Sequence, residues 1–268
     1  MKGNRFFRKK GKIGCLLVHG LTSCAEEMEG IGHYLHSKGY TVLGTLLNGH
    51  NTSPEDLAHT TWHDWYFSVE KDFNFLKKQC SKVYVIGLSM GATLSMHLAA
   101  NNKVDGLVLL APAIFYINPL AKFTPFLKYF KKYKAKDYSF YYPGREESYF
   151  DIADEKATFG RIAYKKVPLS SLASAMNLIK IVKKEINKIN SPTMIIHSLS
   201  DHTIKHESAQ YIFDNLILGK KDKKIIYLKK SGHVLSVDYD KDYICSEINE
   251  FIKKTNKMNP KGKISILF

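Results

Sequence analysis

Residues 83–91 read Val83-Tyr84-Val85-Ile86-Gly87-Leu88-Ser89-Met90-Gly91, and Ala92-Thr93-Leu94-Ser95-Met96-His97-Leu98-Ala99-Ala100 follows. An apolar run, a G-x-S-x-G turn and a helix-forming run stand in direct succession. That order predicts a strand that breaks sharply into a helix, with Ser89 at the bend. A residue at such a bend is held in strained backbone, and any Cβ close by would clash, hence the flanking Gly87 and Gly91. Ser89 is then held above the carboxyl edge of a sheet. The new helix starts beneath it, so the Met90 N–H and the helix dipole point to where an oxyanion would form. G-x-S-x-G alone is often only a turn. The flanking strand and helix make it read as a nucleophile.

A serine nucleophile needs a base, and the base needs an orienting acid. In α/β-hydrolases, where a G-x-S-x-G turn of this kind carries the nucleophile, both follow the serine in the chain, the acid first. Of the 11 histidines, one lies late, in a loop after a strand: His233 in Lys230-Ser231-Gly232-His233-Val234, behind Ile225-Ile226-Tyr227-Leu228. The preceding strand-like run, 193–199, leads into Ser200-Asp201-His202-Thr203-Ile204, which makes Asp201 the expected acid. Asp238 instead suits the start of the last helix. His202 is a weaker base than His233, because sequence neighbours rarely face each other. Near the start, 12–18 reads as a buried strand and ends in His19-Gly20-Leu21-Thr22-Ser23. Gly20 permits a tight turn that aims the Leu21 N–H at the site. The Leu21 and Met90 N–H groups are therefore the expected oxyanion donors. His19 precedes Ser89 in the chain and reads as a residue that pins its own loop.

These stretches, taken together, resemble the bacterial carboxylesterase and monoacylglycerol lipase family of α/β-hydrolases. The matching segments are LLVHGLTS (16–23), SKGYTVLGTLLNGHNTSPEDLAHTTWHDW (37–65), VIGLSMGATLS (85–95), SDHTI (200–204) and SGHVLSVDYD (231–240). The resemblance implies an α/β-hydrolase fold with an inserted cap. It implies a triad of Ser89, Asp201 and His233, oxyanion amides at Leu21 and Met90, and hydrolysis of short- to medium-chain carboxylic esters without a cofactor. Two stretches depart from the family. Gly49-His50-Asn51 stands where Gly-His-Gly is frequent, and Ala163-Tyr164-Lys165-Lys166 stands where relatives acting on monoacylglycerol carry an Ala-Tyr-Glu-Lys-type stretch. With Lys165 in place of an acidic ligand for glycerol hydroxyls, a strict preference for monoacylglycerol is not expected.

Strand-like runs centred on 13–18, 40–46, 83–87, 105–110, 193–199 and 224–228 alternate with helix-like runs near 25–37, 62–79, 90–101, 206–217 and 239–254. The alternation predicts a mostly parallel sheet flanked by helices. Residues 1–11 leave little room for the antiparallel strands that often begin this fold. The stretch 114–188 breaks the alternation. It is dense in aromatics and lysines and then turns into an amphipathic run at 169–179. The expected division is a core of 1–113 and 189–268 with an inserted cap of 114–188. Most cap aromatics should pack it onto the core, and a few should line an acyl pocket over Ser89.

A chain of 268 residues accommodates that core and cap, and 44% hydrophobic content is ordinary for a globular protein. Cys15, Cys24, Cys80 and Cys245 are widely spaced, with no metal-binding pattern. They read as reduced thiols of a cytoplasmic protein. No cofactor and no metal are expected. With 40 basic and 25 acidic residues the formal charge is +15. Residues 1–25 hold six basic residues and no acid, and five lysines follow Glu250 with no acid among them. The excess lies at the ends, so weak contact of basic tails with an anionic membrane is the partner expectation beside a small ester with an apolar acyl chain. No nucleic-acid-binding motif accompanies the charge. The function expected is a serine carboxylesterase whose substrates include monoacylglycerol. Lysophospholipids and aryl (feruloyl-type) esters suit the same machinery, and a non-catalytic binding protein on this fold would lack one of the three polar residues.

Overall fold

The structure, a computed structural model, describes residues 3–258. In chain order its elements are β1 (Phe6–Arg8), β2 (Ile13–Val18), α1 (Glu29–Ser37), β3 (Thr41–Gly44), α2 (Pro54–Ala58), α3 (Trp62–Gln79), β4 (Lys82–Leu88), α4 (Met90–Asn101) and β5 (Gly106–Leu110). Then come α5 (Thr124–Leu127), β6 (Tyr133–Ala135), β7 (Lys166–Pro168), α6 (Leu169–Glu185), β8 (Thr193–Ser198), α7 (Glu207–Asn215), β9 (Lys223–Leu228) and α8 (Lys241–Met258).

Seven strands form one sheet in the order β1-β3-β2-β4-β5-β8-β9. Six are parallel, and β1 alone runs antiparallel, pairing Phe7 with Leu43. All six strands expected from the sequence are present. The short tail before residue 11 still yields one antiparallel strand, because three residues suffice to cover the edge of β3.

β2, β4 and β5 are almost wholly buried, as strands covered on both faces must be. Alternation along them sorts the core into two layers. Leu16, Val18, Val83 and Val85 face α3 and α4, packing with Trp65, Phe73 and Leu94. Cys15, Leu17, Tyr84 and Ile86 face the opposite side, with Ile31 and Leu35 of α1 and Ile244 and Ile248 of α8. α3 starts at a capping box, Thr61 with Asp64, where the side chain and backbone of each satisfy the other.

Within 114–188 the elements are short until α6. β6 and β7 pair antiparallel through Lys134 and Val167. α6 is different: its Ala175, Leu178 and Val182 join the same apolar cluster as Leu94 and Leu98 of α4. All four cysteines are buried and unpaired. Among the described residues no helix is long and apolar enough to cross a membrane.

Candidate active site

Ser89 lies between the end of β4 and the first residue of α4, with φ 56° and ψ −118°. Few side chains adopt that backbone, so the surroundings must hold it. The Ser89 N–H donates to the Leu110 carbonyl of β5 at 2.9 Å, and its own carbonyl accepts the Ala92 N–H at 3.0 Å. The turn is also too tight for side chains on either flank. A Cβ on Gly87 would collide with the Gly91 carbonyl and Ser95 Oγ, and one on Gly91 with the carbonyls of Val18 and His19.

His233 Nε2 is 2.8 Å from Ser89 Oγ, and His233 Nδ1 is 2.7 Å from Asp201 Oδ2. The structure thus brings Ser89, His233 and Asp201 into one hydrogen-bonded line, from three loops at the carboxyl ends of β4, β9 and β8. Asp201 Oδ1 also accepts the N–H groups of Thr203 and Ile204, each at 2.8 Å. His197 Nε2 lies 3.0 Å from Asp201 Oδ2. Burial alone would raise the Asp201 carboxyl, but the charge of His233 and the hydrogen bonds from His197 and His233 hold it well below the ordinary range. Burial alone would lower the His233 imidazole, yet the charge and hydrogen bond of Asp201, with Asp151 behind it, raise it above its ordinary value. With Asp201 ionised, Nδ1 carries the proton and Nε2 is free to accept from the serine hydroxyl.

The loop after β2 stands against this line. A Cβ on Gly20 would lie 3.5 Å from the Cβ of Ser89. The Gly20 N–H is anchored on Glu27 Oε2 at 2.9 Å, and the loop turns at Thr22, whose φ is 67°. The Leu21 N–H makes no hydrogen bond to another described group. His19 is fully buried. Its Nε2 accepts the Leu47 N–H at 3.2 Å and its Nδ1 donates to the Gly20 carbonyl at 2.8 Å. Burial, with His50 beside it, keeps its imidazole neutral, and the ring pins the loop without reaching Ser89.

Two further residues of the site, His197 and Asp151, escape the sequence reading, and a third, Asp238, has a different part from the one expected. His197, four residues before Asp201 on β8, is the second imidazole on the acid; that spacing was its only signal. Asp151 belongs to the stretch expected as a cap. Its Oδ2 accepts the His202 N–H at 2.9 Å and Thr203 Oγ1 at 2.7 Å, its Oδ1 accepts Tyr142 Oη at 2.9 Å, and its carbonyl accepts the His233 N–H at 2.9 Å. Asp238 is fully buried and does not cap α8. It accepts the N–H groups of Ala153 and Gly232 at 2.7 Å, Tyr239 at 2.8 Å and Asp154 at 2.9 Å. The two aspartates tie residues 151–154 to the loops that carry His233 and Asp201. His202 stacks on Tyr141, ring centroids 3.9 Å apart, and does not bond Ser89.

A cavity of about 900 Å³ opens over Ser89 and His233. Ile117, Leu120, Leu127, Val167, Leu169 and Leu172 give it an apolar wall, drawn from 114–188. Lys165 is not on that wall. Its ammonium lies 5.1 Å over the ring of Tyr149, which does line the cavity, and Lys166 pairs with Glu55 at 3.0 Å. Among the described residues no group of three or more His, Cys, Asp or Glu side chains could hold a metal ion.

Residues 10–240 match the family described as Hydrolase_4, serine aminopeptidase S33. The chain is 31% identical over 253 residues to the thermostable monoacylglycerol lipase of Bacillus sp. (strain H-257), with 93% of this chain and 94% of the relative covered. It is 28% identical over 250 residues to the carboxylesterase of Bacillus subtilis (strain 168), with 93% and 96% covered. Among solved structures, one from the study of the metagenome-derived lipolytic enzymes LipS and LipT superposes with a TM-score of 0.83 at 23% identity, covering 94% of this chain and 98% of that one. The monoacylglycerol lipase of Paleococcus ferrophilus superposes with a TM-score of 0.79 at 18% identity, covering 95% and 100%. The family match across most of the chain, and the lipase and carboxylesterase relatives over nearly its whole length, agree with the sheet order and the strained turn at Ser89: the chain belongs to the Hydrolase_4 family of α/β-hydrolases.

Proposed function

We propose that this protein is a serine carboxylesterase acting on short- to medium-chain esters, monoacylglycerol among them. The observation that carries the proposal is the unbroken line from Ser89 Oγ through His233 to Asp201, with contacts of 2.8 and 2.7 Å, under an apolar-walled cavity. Ser89 attacks the ester carbonyl while His233 Nε2 takes its proton. Asp201 holds the imidazole tautomer and stabilises the imidazolium. The Leu21 and Met90 N–H groups stabilise the tetrahedral oxyanion. His233 then protonates the leaving alcohol, and a water that it deprotonates releases the acid from the acyl-enzyme. No step calls for a cofactor.

Residues 114–188 act as the cap in this reading. Within it α6 packs on the core through Ala175, Leu178 and Val182, while its Leu169 and Leu172 join the cavity wall. The apolar wall supports acyl chains, and its lysines and tyrosines support lysophospholipid or aryl esters as alternative substrates. A non-catalytic binding role is disfavoured because no member of the line is missing.

Weak contact with an anionic membrane belongs to the same proposal, with a shift in where it occurs. Of the basic N-terminal residues, Arg5 pairs with Asp72 and Arg8 with Glu29. The lysines at 261 and 263 lie outside the described residues. The exposed Phe123, Phe126, Tyr129 and Phe130, interleaved with Lys122 and Lys128, make 122–130 the better face for such contact. Buried, unpaired cysteines are consistent with a cytoplasmic setting.

The test is hydrolysis of a panel of aryl and glycerol esters of graded acyl length. Turnover of short and medium chains, lost in Ser89→Ala, supports the reading. No turnover of any ester by a folded protein overturns it.

A further inference from the structure

Lys136 follows β6 directly and stands on the wall of the cavity that holds Ser89 and His233. Its Nζ lies 3.3 Å from Thr22 Oγ1, in the loop that carries Leu21. The rings of Tyr149 and Phe150 are 5.9 and 5.8 Å away. Among the described residues no carboxylate comes within 4.0 Å of it, whereas Lys166, Lys224 and Lys253 each have one. Burial pulls the ammonium down to about 8, and the charge of Glu27 only partly offsets this.

The carboxylates on the same wall are already engaged. Glu27 accepts the Gly20 N–H, Asp137 accepts the Ser139 N–H, and Asp151 accepts His202, Thr203 and Tyr142. Lys131 and Lys134 also line the cavity. A partly desolvated cation with one hydroxyl as acceptor is costly to keep. The cost is offset when a ligand brings the missing negative charge.

We propose that Lys136 is a binding residue for an anionic group, a carboxylate or a phosphate, carried by the substrate, so that esters with a fixed negative charge are preferred over their neutral counterparts. This rests on the hydrolase reading above. An ammonium suits either anion as a point charge, without the planar fork of arginine.

The experiment compares two matched pairs below their micellar concentrations. One is 4-nitrophenyl butyrate against mono-4-nitrophenyl glutarate, with the charge on the acyl side. The other is 1-decanoylglycerol against 1-decanoylglycerol 3-phosphate, with the charge on the alcohol side. In the wild type at low salt, kcat/KM for at least one anionic ester should exceed that of its neutral partner by about tenfold. Lys136→Gln should cut that ratio by about tenfold, and Lys136→Arg should retain most of it. The pair that responds tells which side of the ester carries the anion. Anionic esters no better than neutral ones in the wild type would overturn the proposal, and so would a Lys136→Gln ratio within about twofold of wild type. Should Lys136→Gln not fold, inhibition of wild-type 4-nitrophenyl butyrate cleavage by glutarate and by glycerol 3-phosphate decides instead, and inhibition by neither is the overturning result. Cleavage of neutral esters alone sinks this inference and leaves the hydrolase reading standing. Cleavage of none of the four sinks that reading.

Discussion

The carbonyl of Asp151 accepts the N–H of His233 at 2.9 Å. The segment over the cavity is thereby bonded to the backbone of the residue whose imidazole meets Ser89. The Asp151 carboxylate meanwhile grips the His202–Thr203 loop behind Asp201. One residue therefore touches both loops that must stay in register for a proton to pass.

Asp151→Asn should separate charge from shape. The amide oxygen can still accept from His202 and Thr203, and the amide nitrogen can donate to Tyr142 Oη. The groups that set the His233 pKa are Asp201, Asp151 and Glu27, all of which raise it against burial. Removing the Asp151 charge should lower it, so the acid limb of the kcat/KM profile should move to lower pH. An acid limb that stays in place or moves upward would show that the Asp151 charge does not act on His233.

The wild-type acid limb itself is expected above about pH 6.5, the ordinary histidine value. Activity is lost as pH falls through the raised pKa, because protonated His233 cannot take the serine proton. A profile of kcat/KM on a neutral ester reads this directly. A midpoint well below 6.5 would contradict the electrostatic account of the site.

Asp201 and Asp238 should part company when each is replaced. Asp201→Asn should lower kcat by about three orders of magnitude or more with little loss of fold, since members of such a line act as a unit. Asp238→Ala leaves four N–H groups without their acceptor and should cost about 3 kcal/mol or more in denaturant unfolding. A mild Asp201→Asn beside a fully stable, inactive Asp238→Ala would reverse the two roles.

Lys165→Glu should leave the ratio of glycerol-ester to aryl-ester cleavage within about twofold of wild type. Its ammonium lies over the Tyr149 ring, and the residue is not itself part of the cavity wall. A clear gain for the glycerol ester would restore the expectation drawn from the sequence, that this position faces the polar end of the substrate.

Why some of this was legible and some not follows from the kind of constraint each residue obeys. Ser89, Asp201 and His233 each follow a short apolar run at a strand end, and glycines beside Ser89 and His233 announce the turn. The strands themselves are continuous apolar runs because both faces of the sheet are covered. β1 was missed because three half-buried residues carry no period. Asp151 and His197 were missed because their meaning is three-dimensional: Asp151 meets His233 across 82 positions of sequence, and no local pattern records it. Asp238 was misread as a helix cap because a loop aspartate before a helix has the same local signature as one that collects N–H groups from a distant segment. Lys136 carried no signal within a lysine-rich stretch until the structure showed its contact with Thr22 on the cavity wall.

The central claim is that Ser89 is the residue that becomes acylated. Labelling the whole protein with a fluorophosphonate, followed by peptide mapping, tests it most directly. The expected result is a single modified peptide bearing the adduct on Ser89, with labelling and ester cleavage both abolished in Ser89→Ala. An adduct on Ser23 or Ser95 with Ser89 untouched, or a Ser89→Ala protein that still cleaves esters at the wild-type rate, would contradict it.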